Sequence, residues 1–445
     1  MKTIAVVGAG LVGSLQAIYL AKRGFKVDVF EYRDDLREVE LQGGRSINLA
    51  LSDRGIKALE KVGMAETIQQ LSIPMKGRLI HAMNGELSLQ PYGKEGQYIN
   101  SVSRGGLNKE LLLKASEYDN VSFHFNHRCL EVDLEENKLT FELGETNNIV
   151  HFKADHIFGT DGIFSAVRQK LQMQPLFNFS LQYMDHGYKE LCIYPNADST
   201  HQIEKNALHI WPRGQFMLIA LPNLDGSFTV TLFFPLRGEN SFESLKTAEE
   251  VERFFADTFP DALALIPDLA EQYFKNPTGY LAYVKSSPWN YEDKIMLLGD
   301  AAHGIVPFYG QGMNSGFEDC RLLDDLYEEE GGDWETTFEK FSKNRQADTD
   351  AICDLALSNY IEMRDLVADE NFILRKKIER WFSDKHPDKW TPLYSMVTFS
   401  PEIPYAVALK EGKKQQKIMD DILQLDNITE NWNSAITEQE ILSRL

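Results

Sequence analysis

The sequence predicts an α/β chain in which a Rossmann-type dinucleotide-binding domain carries an inserted antiparallel β-sheet and is followed by a C-terminal helical part. Three observations predict it. An apolar run at residues 2–7 leads into Gly8-Ala9-Gly10-Leu11-Val12-Gly13, then the helical spacing of Leu15, Ile18, Tyr19 and Leu20, then a second apolar run ending in Glu31. Between residues 187 and 234 the chain is β-rich and broken by turn residues. Beyond Glu318 the apolar spacing becomes helical.

The first element is a βαβ unit. Gly8 makes the turn, Gly10 lets a pyrophosphate approach, and Gly13 packs helix on strand. Glu31, at the tip of the second strand, accepts hydrogen bonds from an adenosine ribose. Strand, helix, strand and terminal acid together indicate a bound nucleotide and leave FAD and NAD both open. Arg45 follows in the glycine-rich loop at 43–46, either neutralising the pyrophosphate or standing as a solvated loop arginine. A helix is expected over residues 53–71, with Gly63 inside or near its end. Alternation over 76–89 about Asn84-Gly85 reads as a hairpin, flanked by Arg78 and Tyr92. Ser103-Arg104 opens a helix at 107–115, and strands follow over 121–143. The strand at 152–158 ends in Gly159-Thr160-Asp161-Gly162, a second strand-to-acid turn, so one nucleotide fold runs to about residue 172.

The β-rich insert comprises runs at 187–194, 207–211, 215–221 and 227–234. By the period of two, Met217 and Ile219 share a face, as do Thr231 and Phe233. That face is either an apolar lid over a ligand or a surface packed on protein alone. The nucleotide fold is completed by a short strand at 295–298, broken by Gly299-Asp300 at its carboxyl end, where open α/β sheets hold ligands. Gly310, Gly312 and Gly316 allow close backbone approach, and a helix beginning near Met313 favours negative charge at its N-terminus. This stretch is a seat for a flavin ring, or, taken alone, a common Gly-Asp turn. Helices are expected over 334–364, which carries Asn359 and Tyr360, and as one amphipathic helix in the last thirty residues.

Composition excludes several classes. With 46 basic against 67 acidic residues the net charge is −21, which repels phosphate backbones and anionic lipid, so no nucleic acid is expected. The 445 residues call for more than one core. Cys129, Cys192, Cys320 and Cys353 are dispersed, which fits a reducing compartment and neither a disulfide framework nor a metal site. No apolar run is long enough for a membrane anchor, and strand sequence begins at Thr3, so a cytoplasmic chain without a leader is expected.

The glycine motif with Glu31, then Asp161-Gly162, then Gly299-Asp300, in that order, resemble the single-component FAD aromatic hydroxylases. Gly44-Arg45-Ser46-Ile47-Asn48-Leu49-Ala50-Leu51, His186-Gly187-Tyr188-Lys189-Glu190-Leu191, Asn206-Ala207-Leu208-His209-Ile210-Trp211-Pro212, Pro307-Phe308-Tyr309-Gly310-Gln311-Gly312-Met313-Asn314 and Tyr394-Ser395-Met396-Val397-Thr398-Phe399 narrow the resemblance to the kynurenine 3-monooxygenase family, over nearly the whole chain. The resemblance implies bound FAD contacted by Gly8, Gly10, Val12, Gly13, Glu31, Arg33, Ala50, Arg104, Cys129 (through its backbone), Asp161, Asp300, Met313 and Asn314. It implies that Arg78, Tyr92, Asn359 and Tyr394 hold the amino-acid end of L-kynurenine, with Leu208, Met217, Ile219, Thr231 and Phe233 along its ring. Gln311 is the candidate for ordering the ring or the activated oxygen, and Tyr309 has no assigned role. The implied reaction is NADPH-dependent hydroxylation by dioxygen, in a monomer or homodimer, with residues 1–75, 102–175 and 276–325 forming the FAD domain, 76–101 and 176–275 the substrate sheet, and 326–445 the helical domain. A sister hydroxylase acting on a phenolic acid would not need the amino-acid clamp, and a scaffold with structural FAD would not consume NADPH in response to substrate.

Overall fold

The computed structural model describes residues 2–38, 48–144, 146–366 and 369–445; the loop holding Arg45 lies outside them. A six-stranded sheet runs in the order Asn290–Tyr291, Ile295–Leu297, His156–Gly159, Thr3–Val7, Lys26–Phe30, Val121–His124. Every pairing is parallel except the two-residue edge strand. Parallel strands end on the same side, so Gly299-Asp300, Asp161, the glycine turn and Glu31 converge along one edge. Helix Leu11–Lys22 is buried on two sides: Ala17 and Leu20 pack on the sheet, while Leu15, Ile18 and Tyr19 meet Leu59, Leu107, Leu111 and Phe317.

The insert is a seven-stranded sheet in the order Gly279–Ser287, Asn178–Ile193, Phe228–Pro235, Met217–Pro222, Leu208–Pro212, Gly77–His81, Leu87–Pro91. The predicted hairpin forms and joins this sheet, but Gly77–His81 pairs with Leu208–Pro212 in parallel, so the sheet is not purely antiparallel. Register aligns Ile80, Ile210, Ile219, Thr231 and Glu190 in one row and Met217, Phe233 and Tyr188 in another. Successive side chains point to opposite faces. Trp211, Leu218, Val230 and Leu232 therefore face the other way, onto Val251, Phe255, Phe259 and Ala262 of the helices behind.

Three expected helices are corrected. The helix over 53–71 divides into Asp53–Lys61 and Ala65–Leu71, because Gly63 takes φ +78°. The helix over 334–364 is regular only as Trp334–Ile361 and passes into a π-helical turn at Glu362–Leu366. The single amphipathic helix of the last thirty residues is the end of Tyr405–Ile422 plus two short helices, Ile428–Asn431 and Ala435–Leu442, after Asn427 at φ +55°. These pack through Ile418, Met419, Ile422 and Ile441 onto Ile378, Phe382 and Trp390. No described helix is long and apolar enough to cross a membrane.

Candidate active site

The glycine turn is shaped for a ligand rather than for protein. A Cβ at Gly13 would collide with the Gly8 carbonyl oxygen, whereas a Cβ at Gly10 would meet no atom within 4 Å. Gly13 is thus a packing position and Gly10 faces open space. Helix Leu11–Lys22 has no side-chain cap and no acid in its first turn, so its first N–H groups and the positive end of its dipole remain for an anion. Glu31 is 4% exposed; its Oε2 accepts from Ala9 N–H at 2.9 Å and its Oε1 from Arg33 Nε at 2.7 Å. A ribose reaching Glu31 would share it with Arg33.

Asp161 and Asp300 stand at the two neighbouring strand ends. Asp161 Oδ2 accepts from Ala166 N–H at 2.7 Å, while its Oδ1 is buried with no partner, and burial raises the pKa. Cys129 lies beside it, its thiol pushed up to about 12 by burial and by the Asp161 charge. Asp300 is exposed to solvent-sized contact, yet burial raises its pKa, with Arg104 and His303 acting against the rise. A side chain that solvent reaches but protein surrounds lines a deep cleft. Arg104, itself exposed, faces that cleft and also bears on Tyr188 and Glu190 across it.

The second helix N-terminus at the cleft belongs to Gly312–Glu329, again without a side-chain cap or a first-turn acid. Its neighbour Gly299 and its own Gly316 both abut Val12, which brings the two helix starts together. Met313 is 8% exposed. The Asn314 side chain is fully used by protein: Nδ2 donates to the carbonyls of Ala50 (2.8 Å) and Gly310 (2.7 Å), and Oδ1 accepts from Ser52 N–H at 2.9 Å. Only its backbone is left for a ligand. Gln311 is likewise held by protein, with Oε1 accepting from the Tyr405 hydroxyl at 3.0 Å. An unfilled carboxylate oxygen, open space at Gly10 and two uncapped helix starts fit a dinucleotide carrying a planar ring.

The clamp residues come from three distant segments. Arg78 on strand Gly77–His81 lies over the rings of Tyr394 (5.2 Å) and Tyr92 (5.8 Å), which stack on each other at 5.1 Å. The Tyr92 hydroxyl is buried without a well-formed hydrogen bond. Asn359 is nearby through the turn it anchors, donating to the Phe308 carbonyl at 2.7 Å. Tyr309 follows Phe308 and stacks on Tyr394 at 5.5 Å, so aromatic rings run from the turn at Pro307–Tyr309 to Arg78. Leu208, Met217 and Phe233 are buried in one cluster with Phe308 and Tyr309, Ile219 packs at its edge, and Thr231 is 7% exposed on the same face.

Sequence reasoning missed Glu362. Its carboxylate sits 3.0 Å from Arg78 Nη1 and 3.9 Å from Lys376. Burial alone would lower the Arg78 pKa, but Glu362 and the two phenols raise it, so the guanidinium stays charged. The available signal was helical spacing, since residue 362 is three on from Asn359. Also missed was a buried ionic network under the flavin seat. Arg54, 1% exposed, donates to Glu318 at 2.9 Å and to the carbonyls of Val397 (2.6 Å), Met396 (3.1 Å) and Ile403 (2.5 Å). Arg345 joins Glu318 (2.8 Å) to Asp319 (2.9 Å), and Asp319 accepts from His303 and from Gly299 N–H.

Residues 1–332 match the family described as FAD binding domain. The chain is 51% identical over 442 residues to a kynurenine 3-monooxygenase of Flavobacterium johnsoniae, covering 99% of this chain and 98% of that one. It is 44% identical to those of Dictyostelium discoideum (95% and 93% covered) and Anopheles gambiae (94% and 86%).

The chain belongs to the kynurenine 3-monooxygenase family.

Among solved structures it is similar to the tetrameric form of 2-methyl-3-hydroxypyridine-5-carboxylic acid oxygenase, with a TM-score of 0.67, 19% identity, and 85% of this chain and 97% of that one covered. It is also similar to PqsL of P. aeruginosa in complex with 2-aminobenzoylacetate, with a TM-score of 0.64, 19% identity, and 82% and 97% covered. At that identity the likeness speaks for the fold. This kynurenine 3-monooxygenase family member is an FAD-dependent aromatic monooxygenase.

Proposed function

We propose that this chain hydroxylates L-kynurenine at the ring carbon beside the aniline nitrogen, consuming NADPH and dioxygen and giving 3-hydroxy-L-kynurenine, NADP⁺ and water. The observation that carries it is the clamp: a charged arginine over two stacked tyrosines, beside an apolar cluster that includes Leu208, Met217, Phe233, Phe308 and Tyr309. A substrate that fits has a carboxylate at one end and a flat apolar ring at the other. FAD, when bound, would supply the two-electron chemistry that couples a reduced nicotinamide to dioxygen and oxygen transfer.

The chain's own residues position and dry the reaction. Gly10 and the start of helix Leu11–Lys22 would hold the pyrophosphate of FAD, Glu31 its ribose, and Asp161 Oδ1 and Asp300 its other hydroxyl groups. Arg78 pairs with the substrate carboxylate, and the hydroxyls of Tyr92 and Tyr394 complete the polar end. Leu208, Met217, Ile219 and Phe233 cover the ring and keep water from the oxygen-transfer step. No side chain need act as base, because the aniline nitrogen already supplies electron density. NADPH oxidation by purified FAD-loaded protein, with and without L-kynurenine, tests the reading together with mass detection of a product one oxygen atom heavier. Equal rates with no heavier product would remove it.

A further inference from the structure

On the face of the substrate sheet away from the flavin cleft, two imidazoles and a carboxylate stand in line. His81 Nδ1 is 2.7 Å from Asp261 Oδ2, His81 Nε2 is 2.9 Å from His209 Nδ1, and His209 Nε2 is 2.7 Å from the Glu204 carbonyl oxygen. His209 is 0% and His81 4% exposed. The oxygens at both ends of the line only accept, so each needs an N–H facing it, and the nitrogen pair in the middle needs one proton between them. That makes three protons on four ring nitrogens, where two neutral imidazoles carry two. The pair therefore holds one extra proton, matched by the Asp261 carboxylate.

The surroundings suit that charge state. Burial acting on Asp261 is outweighed by hydrogen bonds from His81 and from Trp211 Nε1, the latter at 2.8 Å, so its pKa is lowered. Burial pushes His209 down to about 4. The Trp211 ring stacks on His81 at 3.9 Å, and Phe228 meets His209 edge-on at 5.4 Å. Arg213 is the other cation of the cluster, and its guanidinium is directed at the carbonyls of His81 (3.0 Å), Pro212 (2.8 Å) and Thr258 (2.6 Å). Glu204, whose carbonyl ends the line, is the other acid. Asp261 has 37% of its side chain exposed, which gives the line access to solvent protons.

The placement matters because His81 shares a five-residue strand with Arg78, and His209 follows Leu208. The two strands meet in a short parallel pairing, Leu208 with Arg78, Leu79 with His209 and Ile80 with Ile210. The imidazole line bolts that pairing from behind. We propose that Asp261, His81 and His209 hold one shared proton and that this charged line positions the Arg78 strand for the substrate carboxylate. The positioning role rests on the kynurenine reading above; the proton count does not. When the shared proton leaves, one of the three contacts loses its hydrogen and the strand pairing loosens. The contribution is thus present while the pair holds that proton and is lost as pH rises and the proton leaves, and it acts on KM rather than on kcat.

The first measurement is a ¹⁵N–¹H correlation of histidine rings in the FAD-loaded full chain at about pH 7, with H81Q and H209Q used for assignment. Three ring N–H protons on the pair support the proposal, and two overturn it. The second is the calorimetric Kd for L-kynurenine from about pH 6 to about pH 9. Wild type should weaken about five- to tenfold, the worth of one hydrogen bond, with kcat flat, while H81Q shows no such limb. Should H81Q fail to fold, D261N serves, and the weakening should begin at lower pH because the carboxylate no longer stabilises the proton. A pH-independent wild-type Kd overturns the positioning role. Absence of kynurenine binding at every pH overturns the substrate reading instead, and the ring-proton count still decides the charge state.

Discussion

Removing Arg78 is the sharpest test of the clamp, provided its neighbour is handled with it. The guanidinium is 8% exposed, so its bond to a substrate carboxylate is charge-assisted and shielded from water. Such a bond is worth about 1.5–3 kcal/mol, or roughly ten- to a hundredfold in Kd. Alanine at 78 also takes from the Glu362 carboxylate its 3.0 Å partner and leaves it Lys376 at 3.9 Å, with Arg375 acting from farther away. Breaking a buried pair costs about 3–5 kcal/mol when nothing compensates. With 26% of the Glu362 side chain exposed and Lys376 close, the cost here is lower, but it would still contaminate the single variant. The informative set is therefore R78A, E362Q and R78A/E362Q, titrated calorimetrically with L-kynurenine as FAD-loaded enzyme. The step from E362Q to the double variant isolates the carboxylate contact, and about ten- to a hundredfold weakening is expected there. The decarboxylated analogue of kynurenine, which has nothing for Arg78 to grip, should bind both alike. A double variant that binds L-kynurenine within about twofold of E362Q would sink the clamp assignment.

Other perturbations probe the cofactor seat and its support. G10A should fold with an unchanged apoprotein melting temperature and bind FAD weakly, because its methyl group enters open space meant for the ligand; G13A should lose stability as well, because its methyl group meets the Gly8 carbonyl, and an equally stable G13A apoprotein would contradict the packing role. R54M should destabilise the chain by about 3–5 kcal/mol, through the weakened pairing of Glu318 and the abandoned carbonyls, read by chemical denaturation; a loss below about 1 kcal/mol would mean that Arg345 and solvent replace it fully. Burial, with Glu60 and Glu402 adding to it, raises Asp53 to about 6. A raised carboxyl costs nothing below its unfolded value near about 3.9 and progressively destabilises the fold as pH rises through about 6. Since Asp53 is partly exposed, the full cost is about 1–2 kcal/mol after screening. D53N should abolish that decline, and parallel stability–pH curves for the two proteins would refute it.

Local rules made the nucleotide half readable. The glycine spacing, Glu31, and the two strand-to-acid turns each rest on a few consecutive residues, and the parallel sheet then has to gather them along one edge. The inserted sheet was legible by its period of two, but its parallel pairing was not, because nothing in residues 77–81 states that their partner lies at 208–210. The same distance hides the polar interior. Arg54 reads as a surface arginine on an amphipathic helix until Glu318 and the carbonyls at 396–403 close over it. Asp261 and His81, 180 positions apart, give no sign of each other in the chain. Helix lengths failed at Gly63, Ile361 and Asn427, where left-handed or π-helical backbone ends a pattern whose apolar spacing continues. Sequence spacing proposed which residue types serve the site, and tertiary contact decided which of their atoms remain available, as the fully engaged amide of Asn314 illustrates.

The Arg54 anchorage has a bearing on traffic through the enzyme. Helix Leu393–Thr398, which carries Tyr394, is tied by its own backbone carbonyls to a guanidinium lodged against the helix beneath the flavin seat. Swinging that tyrosine outward would strip several oxygens from a sequestered cation at once. Beside Tyr394 stand Arg78, Glu362 and Lys376, side chains that exchange partners one at a time. Substrate entry and product escape should therefore follow the path of least breakage, past the acid at 362, with Tyr394 as a fixed doorpost.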